Sequence, residues 1–343
     1  MRLAIIACAN GLGHVRRVVA ISSFMLKNGF GGMIDAYLPR SHLDCLNKWP
    51  ECLYFVNHKQ VHIHDFNYPK PSICKTSMIG ELDWMTIDLP PLSKYDVVWS
   101  DNILQVLEQR DDAIITGSFL WHEVLEKHAE EKGQLAFIKA QRELLSVHPT
   151  MVGNEYFAMP EVVKHTNFIP VGLYRYSLLM REKRNRGILI SCGLGGEEEN
   201  VTKEAIQRII DEQISPPDLL FVEPRLLPEK YPDWIKKAEF SDEMYHYCAA
   251  VCIRPGIGTI SDALISHNMI FAFSRSDSVE MTHNSRVLEH LNVGEQSKGP
   301  FHAYISAIQF VDNPEKLNNQ LLKTSHLRTD GVFATAKVVF NRS

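Results

Sequence analysis

Short apolar, β-branched runs alternate with amphipathic stretches along the chain, and this alternation predicts an α/β fold. In the first half, strands are expected at 3–8, 33–38, 53–56, 96–99 and 113–116, with helices at 14–27, 102–109 and 118–128. Strands that are apolar over their whole length are typical of a parallel sheet covered by helices on both faces. The first half is therefore predicted to be a doubly wound domain.

The alternation stops at a polar stretch and then starts again. Residues 181–186 are almost all charged and have no apolar periodicity, which indicates a solvated linker. Beyond it, strands are expected at 187–191, 218–222, 250–253, 269–273 and 308–311, with helices at 201–211, 242–249, 259–267 and 283–291. The predicted organisation is a first domain over 1–170, a linker over 171–186, a second domain over 187–325, and a C-terminal tail, 326–343, that packs back on the first domain.

Composition and charge narrow the class of protein. The 343 residues are 45% hydrophobic and 22% charged, which is typical of a soluble globular protein with about two domains. A net charge of −5 gives no general attraction for nucleic acid, so nucleic acid is not an expected partner. Seven cysteines without a CxxC pair predict reduced thiols and a cytoplasmic location. The opening apolar run, about six residues long, is too short for a signal-peptide core and is interpreted as the first strand.

Three glycine-rich turns, at 10–14, 191–196 and 254–259, join a predicted strand to a predicted helix. Such a turn presents backbone N–H groups at the positive end of a helix dipole, at the carboxyl edge of a parallel sheet. The turns are therefore candidate anion sites, with Gly11, Gly13, Gly193 and Gly195 allowing a ligand to approach the backbone.

The first turn also presents a candidate general base. His14 stands at the start of a helix, where the dipole favours a neutral imidazole; simple capping of the turn is the alternative. Asp101 ends a predicted strand of the same domain. It could act in catalysis, by orienting His14 or activating an acceptor hydroxyl, or it could simply cap the helix that follows.

The third turn combines a cation, two glycines, a hydroxyl and a carboxylate, in the order Arg254, Gly256, Gly258, Thr259 and Asp262. Asp262 lies one helical turn beyond the glycines and could accept two hydroxyl groups of a ribose. Glu280 and Asn284 follow the next predicted strand and offer further polar groups at the same edge. An anion site beside carboxylates that accept hydroxyl groups indicates a sugar nucleotide as the ligand.

These motifs together resemble those of the GT-B glycosyltransferases, especially the group of the bacterial N-acetylglucosaminyltransferase that completes the peptidoglycan lipid precursor. The resemblance rests on Gly11-Leu12-Gly13-His14-x-x-Arg17, on Arg254-Pro255-Gly256-x-Gly258-Thr259-x-Ser261-Asp262-Ala263, and on Glu280-x-x-x-Asn284. It implies two Rossmann-like domains facing across a cleft, the first for the acceptor and the second for a nucleotide diphosphate sugar.

The resemblance also implies roles for individual residues. Asp262 would bind the ribose, residues 256–259 the diphosphate, and Glu280 and Asn284 the donor sugar. His14 would face the reacting carbon, and Arg17 would belong to the acceptor-side phosphate loop with the two glycines before His14. No metal and no cofactor are implied, and the expected substrates are a sugar nucleotide, UDP-linked, and a glycan, lipid-linked or protein acceptor, with peripheral membrane contact left open.

Other functions stay open at this point. The UDP-sugar hydrolase of nonulosonic acid synthesis also resembles Gly-x-Gly-His at its start, and a sugar-nucleotide-binding protein without catalysis would need the same turns. Asp35 leaves a dehydrogenase open, although Arg16 replaces the third glycine of the dinucleotide fingerprint. His62 and His64 alternate along one strand face, as in some metal sites, but without a second ligand cluster they are interpreted as surface histidines.

Overall fold

The computed structural model describes residues 1–9, 11–66, 88–128, 132–174, 186–193, 198–275 and 277–342. The chain divides into an N-terminal unit, 1–172 with 330–343, and a C-terminal unit, 173–329. Each unit contains one sheet whose recorded strand pairs are all parallel. The α/β class predicted from the alternation is confirmed. Gly195 and most of the predicted linker lie outside the described residues.

The sheet of the N-terminal unit has the strand order β3-β2-β1-β4-β5-β6-β7. Its strands are β1 (Arg2–Ala7), β2 (Met33–Leu38), β3 (Val61–Asp65), β4 (Val97–Asp101), β5 (Ile114–Thr116), β6 (Thr150–Asn154) and β7 (Asn167–Val171). The order runs one way from β1 to β3 and the other way from β4 to β7. In open α/β sheets a ligand binds beyond the carboxyl ends of the strands at such a reversal, here between β1 and β4.

The helices of this unit are α1 (Leu12–Lys27), α2 (Arg40–Cys45), α3 (Pro50–Val56), α4 (Trp121–Leu125), α5 (Lys132–Leu144), α6 (Pro160–His165) and the C-terminal α13 (Gly331–Asn341), with 3₁₀ turns at Leu92–Lys94, Leu104–Glu108, Glu126–His128 and Leu145–Val147. α13 packs on α1, and Phe333 and Phe340 place their rings edge-on at 6.0 Å from those of Phe24 and Phe30.

The sheet of the C-terminal unit has the order β10-β9-β8-β11-β12-β13 and reverses between β8 and β11. Its strands are β8 (Gly187–Ser191), β9 (Leu220–Val222), β10 (Ile235–Lys237), β11 (Cys248–Ile253), β12 (Met269–Ala272) and β13 (Gly294–Gln296). Its helices are α7 (Glu198–Asp211), α8 (Asp242–Tyr247), α9 (Ile257–Ile265), α10 (Val279–His290), α11 (Pro300–Val311) and α12 (Pro314–Ser325), with a 3₁₀ turn at Pro224–Leu226. Cys248 and Cys252 are buried in β11, as expected of small apolar side chains.

Two predicted strands are wrong, because a short apolar run can also be the end of an amphipathic helix. Residues 53–56 belong to α3, where Cys52 and Phe55 are buried three positions apart. Residues 308–311 end α11, whose buried Ala303, Ala307 and Phe310 recur every three or four residues. The strands at these places in the fold are β3 and β13, which are short and lie at sheet edges.

Three predicted helices are shorter than expected, and the one predicted over 242–249 ends at Tyr247 because β11 begins at Cys248. Residues 102–109 form only the 3₁₀ turn Leu104–Glu108, since Asn102 takes a left-handed φ of 60° that interrupts a helix. Residues 118–128 form α4, followed by a 3₁₀ turn. Within the described ranges, none of the helices has both the length and the apolar character needed to cross a membrane.

Candidate active site

The first candidate site lies at the strand reversal of the N-terminal unit. β1 pairs with β4, and Ala7 is the register partner of Asp101, so both strands end at the same level. Gly11 connects β1 to α1 with a φ of 101°, a conformation that glycine adopts without strain. His14 therefore lies in the first turn of α1, beside the end of β4. The topology brings it to Asp101, which is 87 positions away along the chain.

His14, Arg17 and Thr116 all contact the carboxylate of Asp101. His14 Nδ1 lies 2.6 Å from Asp101 Oδ1. Arg17 donates from Nε to Oδ2 at 2.7 Å and from Nη2 to Oδ1 at 2.8 Å. The Thr116 hydroxyl donates to Oδ2 at 2.9 Å, and it accepts in turn from the indole of Trp99 at 3.0 Å. Polar groups from α1 and β5 therefore hold the carboxylate, and the indole of Trp99 on β4 supports Thr116 from behind.

The Asp101 carboxyl group is ionised in this setting. It is fully buried, and burial alone would raise its pKa, but the charge of Arg17 and the hydrogen bonds from Arg17 and His14 lower the pKa to about 2. An ionised carboxylate can only accept hydrogen bonds, so Nδ1 of His14 carries the proton that the two groups share. The remaining ring nitrogen, Nε2, then has a free lone pair in the neutral imidazole.

The structure favours one of the two interpretations of Asp101. Its side chain orients His14, whereas the following 3₁₀ turn begins after Ile103 without a side-chain cap. The Nδ1 atom of His14 contacts Asp101 and, among the residues that the structure describes, no backbone group of the turn that precedes α1. Arg17, which the resemblance places in a phosphate loop, points its guanidinium to Asp101 and is only 8% exposed.

The second candidate site lies at the strand reversal of the C-terminal unit. Ile253, the last residue of β11, pairs with Ser191 at the end of β8, and the Arg254 N–H donates to the Ser191 carbonyl at 3.2 Å. Gly256 is the N-cap of α9, and the position of a Cβ on it has no neighbouring heavy atom within 4 Å among the described residues. The turn therefore leaves open space beside the first N–H groups of a helix, which lack intrahelical acceptors.

α9 begins two residues earlier than predicted, which places Gly258 and Thr259 in its first turn and half-exposes them. The Arg254 side chain is 30% exposed, and its Nε lies 3.9 Å from Glu198 Oε1. Asp262 is nearly buried on the same helix. The turn thus carries an arginine two residues before the N-cap of a helix, a combination of residue types that suits a phosphate.

Asn284 supports the turn from behind. It is completely buried on α10, and its Nδ2 donates to the Pro255 carbonyl at 2.9 Å. Glu280 lies half-buried in the first turn of the same helix. Contact of either residue with a donor sugar stays a prediction, and the contact that the structure records for Asn284 positions the backbone of the turn.

In the loop after β8, a carboxylate of the protein contacts the N–H groups of Cys192 and Gly193, and donor binding by Gly193 and Gly195 stays a prediction. One oxygen of Glu223, Oε2, accepts hydrogen bonds from Ser191 Oγ at 2.8 Å, from Cys192 N at 3.1 Å and from Gly193 N at 3.2 Å. Gly193 adopts a φ of 68°, which turns its N–H toward this carboxylate. A side chain of the protein itself thus accepts hydrogen bonds from the N–H groups of Cys192 and Gly193, as a bound anion would.

Sequence reasoning missed Glu223, although a signal was present. It follows β9 directly, and Val222 is the register partner of Ile190, so Glu223 lies beside Ser191. Its other oxygen pairs with Arg225, which also donates to Glu199 Oε2 at 2.7 Å. Of the three consecutive carboxylates at 197–199, the first lies outside the described residues; the other two stand in the first turn of α7.

The carboxylate of Asp35 contacts both histidines of β3, His62 and His64. Asp35 Oδ1 lies 3.1 Å from His64 Nε2 and 3.4 Å from His62 Nδ1, and its Oδ2 accepts from Arg2 at 2.7 Å. Burial would raise the pKa of Asp35, but hydrogen bonds from His64 and Arg2 lower it to about 2. Among the described residues no group of three metal-ligating side chains is placed to hold an ion.

Comparison with solved structures identifies the fold. The chain is similar to the glycotransferase of kitacinnamycin, with 12% identity, a TM-score of 0.66 and coverage of 99% of this chain and 98% of the other. It is also similar to CalG4, the calicheamicin glycosyltransferase, with 12% identity, a TM-score of 0.62 and coverage of 100% and 98%. A structure of UGT89C1 from Arabidopsis thaliana in complex with UDP shares 12% identity, with a TM-score of 0.61 and 99% of both chains covered.

These similarities confirm the GT-B fold that the motifs implied, over the whole length of the chain. No model of a protein family and no curated protein matches the sequence. The closer resemblance to the peptidoglycan N-acetylglucosaminyltransferase group stays a prediction.

Proposed function

We propose that this protein is a glycosyltransferase that moves a sugar from a nucleotide diphosphate sugar, UDP-linked, to an acceptor in bacterial surface-glycan synthesis. The observation that carries the proposal is the contact of 2.6 Å between His14 Nδ1 and the buried Asp101 carboxylate, at the strand reversal of a GT-B fold. Such a pair leaves the second ring nitrogen of the histidine as a general base.

The base would act on a hydroxyl group of the acceptor. His14 Nε2 takes the hydroxyl proton while the acceptor oxygen forms a bond to the anomeric carbon of the donor sugar. The bond from that carbon to the diphosphate breaks, and its electron pair leaves with the diphosphate. Asp101 stabilises the imidazolium that results, because its negative charge lies next to Nδ1.

The C-terminal unit would hold the donor. Arg254 and the first N–H groups of α9 would stabilise the charge that develops on the leaving diphosphate, and Asp262 would bind the ribose. This arrangement would need no metal ion, because a guanidinium and a helix N-terminus supply the positive charge. The similar structure of UGT89C1 is a complex with UDP, which supports UDP as the first nucleotide to test.

The first experiment measures binding and turnover in the presence of EDTA. Calorimetry with UDP, GDP, TDP and CMP and with the corresponding sugars should find one nucleotide that binds, and binding to none of them would falsify the proposal. His14→Ala should keep this binding and lower kcat by about 10² to 10⁴, the usual range for loss of a general base. His62→Ala is the matched control, since His62 is largely exposed on β3.

The same experiment separates transfer from hydrolysis. A histidine–carboxylate pair activates water as readily as a sugar hydroxyl, so a UDP-sugar hydrolase is the second candidate function. Release of free sugar at the full rate without an acceptor would identify the hydrolase. Tight binding without turnover under any condition would instead identify a non-catalytic sugar-nucleotide-binding protein.

A further inference from the structure

Arg17 shares one carboxylate with His14. It lies three residues after His14 on α1, and side chains at this spacing leave the same face of a helix. The Nη2 of Arg17 that donates to Asp101 Oδ1 also lies 3.4 Å from His14 Nδ1. Both nitrogens carry protons, so they do not bond to each other, and both donate to the same oxygen.

The ion pair between Arg17 and Asp101 is built into the interior of the N-terminal unit. The Asp101 side chain is fully buried, and the Arg17 side chain is nearly so. A buried carboxylate is strongly unfavourable unless a cation pairs with it and hydrogen bonds satisfy its remaining lone pairs. Arg17 and Thr116 meet both conditions, so the carboxylate is stable as an anion without help from a protonated His14.

We propose that Arg17 is a positioning residue for the base, an inference that rests on the function proposed above. Arg17 holds Asp101 in the orientation that accepts the Nδ1 proton of His14. Its positive charge beside Nδ1 also opposes a second proton on the ring, because a guanidinium and an imidazolium repel each other at this distance. Arg17 thereby holds the Nδ1 proton of His14 toward Asp101 and leaves Nε2 to accept the proton of the attacking hydroxyl.

The same contacts make Arg17 a poor phosphate ligand. Two of its nitrogens bond to both oxygens of Asp101, which is the strong two-point geometry of guanidinium and carboxylate. A phosphate would have to displace that carboxylate in a place shielded from solvent. The charge of Arg17 therefore acts on the base through Asp101 and Nδ1, and not on a bound anion.

The charged side chains recorded against His14 in the described part of the chain are Asp101, from β4, and Arg17, from its own helix. Loss of Arg17 leaves the Asp101 charge uncompensated, which stabilises the imidazolium. In Arg17→Met we therefore expect the NMR titration midpoint of His14 to rise by about one to three pH units. The acidic limb of kcat/KM should move to higher pH by the same amount, because the base stays protonated to higher pH.

Two more variants complete the test. Arg17→Lys keeps a charge but cannot make the two-point contact, so we expect a smaller rise of the midpoint together with a lower kcat. Arg16→Met is the matched control: Arg16 is the preceding residue, its guanidinium lies 5.3 Å from the centre of the Trp49 ring, and its loss should leave the midpoint of His14 unchanged.

The role of Arg17 would be overturned if the His14 midpoint and the shape of the pH profile were the same in Arg17→Lys, Arg17→Met and the wild type, with at most a uniform loss of activity. Should Arg17→Met fail to fold, Arg17→Lys decides alone, because an unshifted profile in that variant contradicts the proposal. The titration needs no substrate. Shifted midpoints in a protein that turns over no sugar nucleotide would reject the proposed function and leave the effect of Arg17 on His14 standing.

Discussion

The two strand reversals of this molecule each contain a buried carboxylate paired with an arginine, and the two pairs do different things. In the N-terminal unit Asp101 pairs with Arg17 and orients the imidazole of His14. In the C-terminal unit Glu223 pairs with Arg225 and accepts from the backbone of Cys192 and Gly193. The first carboxylate orients the imidazole for proton transfer, whereas the second accepts hydrogen bonds from the backbone of a loop, as a bound anion would.

The difference follows from what each carboxylate faces. Asp101 ends its strand beside the first turn of α1, where a titratable ring is within reach. Glu223 lies beside a loop in which the buried N–H of Cys192 has this carboxylate as its acceptor, and a buried N–H without an acceptor is costly. A glycine-rich turn at a strand reversal is thus not by itself an empty anion site, because the fold can supply the anion.

The largest expected effect is on catalysis, and it distinguishes the two carboxylates. Asp101→Asn should lower kcat by about 10² to 10⁴, because the amide no longer holds the Nδ1 proton or stabilises the imidazolium. Glu223→Gln should change kcat by less than about tenfold, since Glu223 does not contact the base. Steady-state rates at saturating donor give both numbers. Equal losses in the two variants would contradict the division of roles.

Loss of the Glu223 carboxylate should lower the free energy of unfolding rather than the catalytic rate. Glu223→Ala removes the acceptor for two backbone N–H groups and leaves Arg225 without one partner, so unfolding free energy should fall by about 1–3 kcal/mol. Urea titration measures this difference. If inorganic phosphate restored the lost stability, the loop would be a true anion site that Glu223 fills in the unmodified chain.

Acid should weaken the N-terminal pair in a defined range. The pKa of Asp101 is lowered to about 2 from an ordinary value of 3.8, so its contribution to stability is present above pH 4 and is lost as the pH falls toward 2. A shift of this size corresponds to about 2 kcal/mol. Urea midpoints of wild type and Asp101→Asn between pH 5 and pH 2 should converge. Parallel curves would show that Asp101 does not titrate in this range.

The smallest expected effect concerns the turn of the C-terminal unit that is left open. Gly256→Val should keep the fold, because the backbone φ is −77° and the side chain would point into open space. The added methyl groups would crowd a bound diphosphate, so we expect Kd for the nucleotide to rise about tenfold, or about 1.4 kcal/mol. Gly31→Val, at another open position, is the control. Unchanged affinity would move the diphosphate site elsewhere.

Predictions from the chain pattern were most accurate where a strand is buried and central. The strands predicted at 33–38 and 187–191 match β2 and β8 residue for residue, because most positions of a strand covered on both faces are apolar. The edge strands β3 and β13 were not predicted, and parts of the helices α3 and α11 were predicted as strands instead. A run of four apolar residues does not distinguish a strand from one turn of a buried helix. The turn chemistry that marked His14 and the segment from Arg254 to Asp262 was visible in the sequence, since glycine, hydroxyl and charged residues follow apolar runs there.

The sequence by itself determined the α/β class and the position of the turns at the carboxyl ends of strands. For Asp101 it left two options, a catalytic role beside His14 or a helix cap. The choice between those options needed the tertiary structure. His14 and Asp101 are 87 positions apart along the chain, and they are in contact because β1 and β4 are neighbours in the sheet. The same reason explains why neither the contact of Arg17 with Asp101 nor that of Glu223 with Ser191 was predicted from the sequence. The order of strands in the sheet decides which charged groups lie next to a buried side chain, and no local sequence pattern specifies that order.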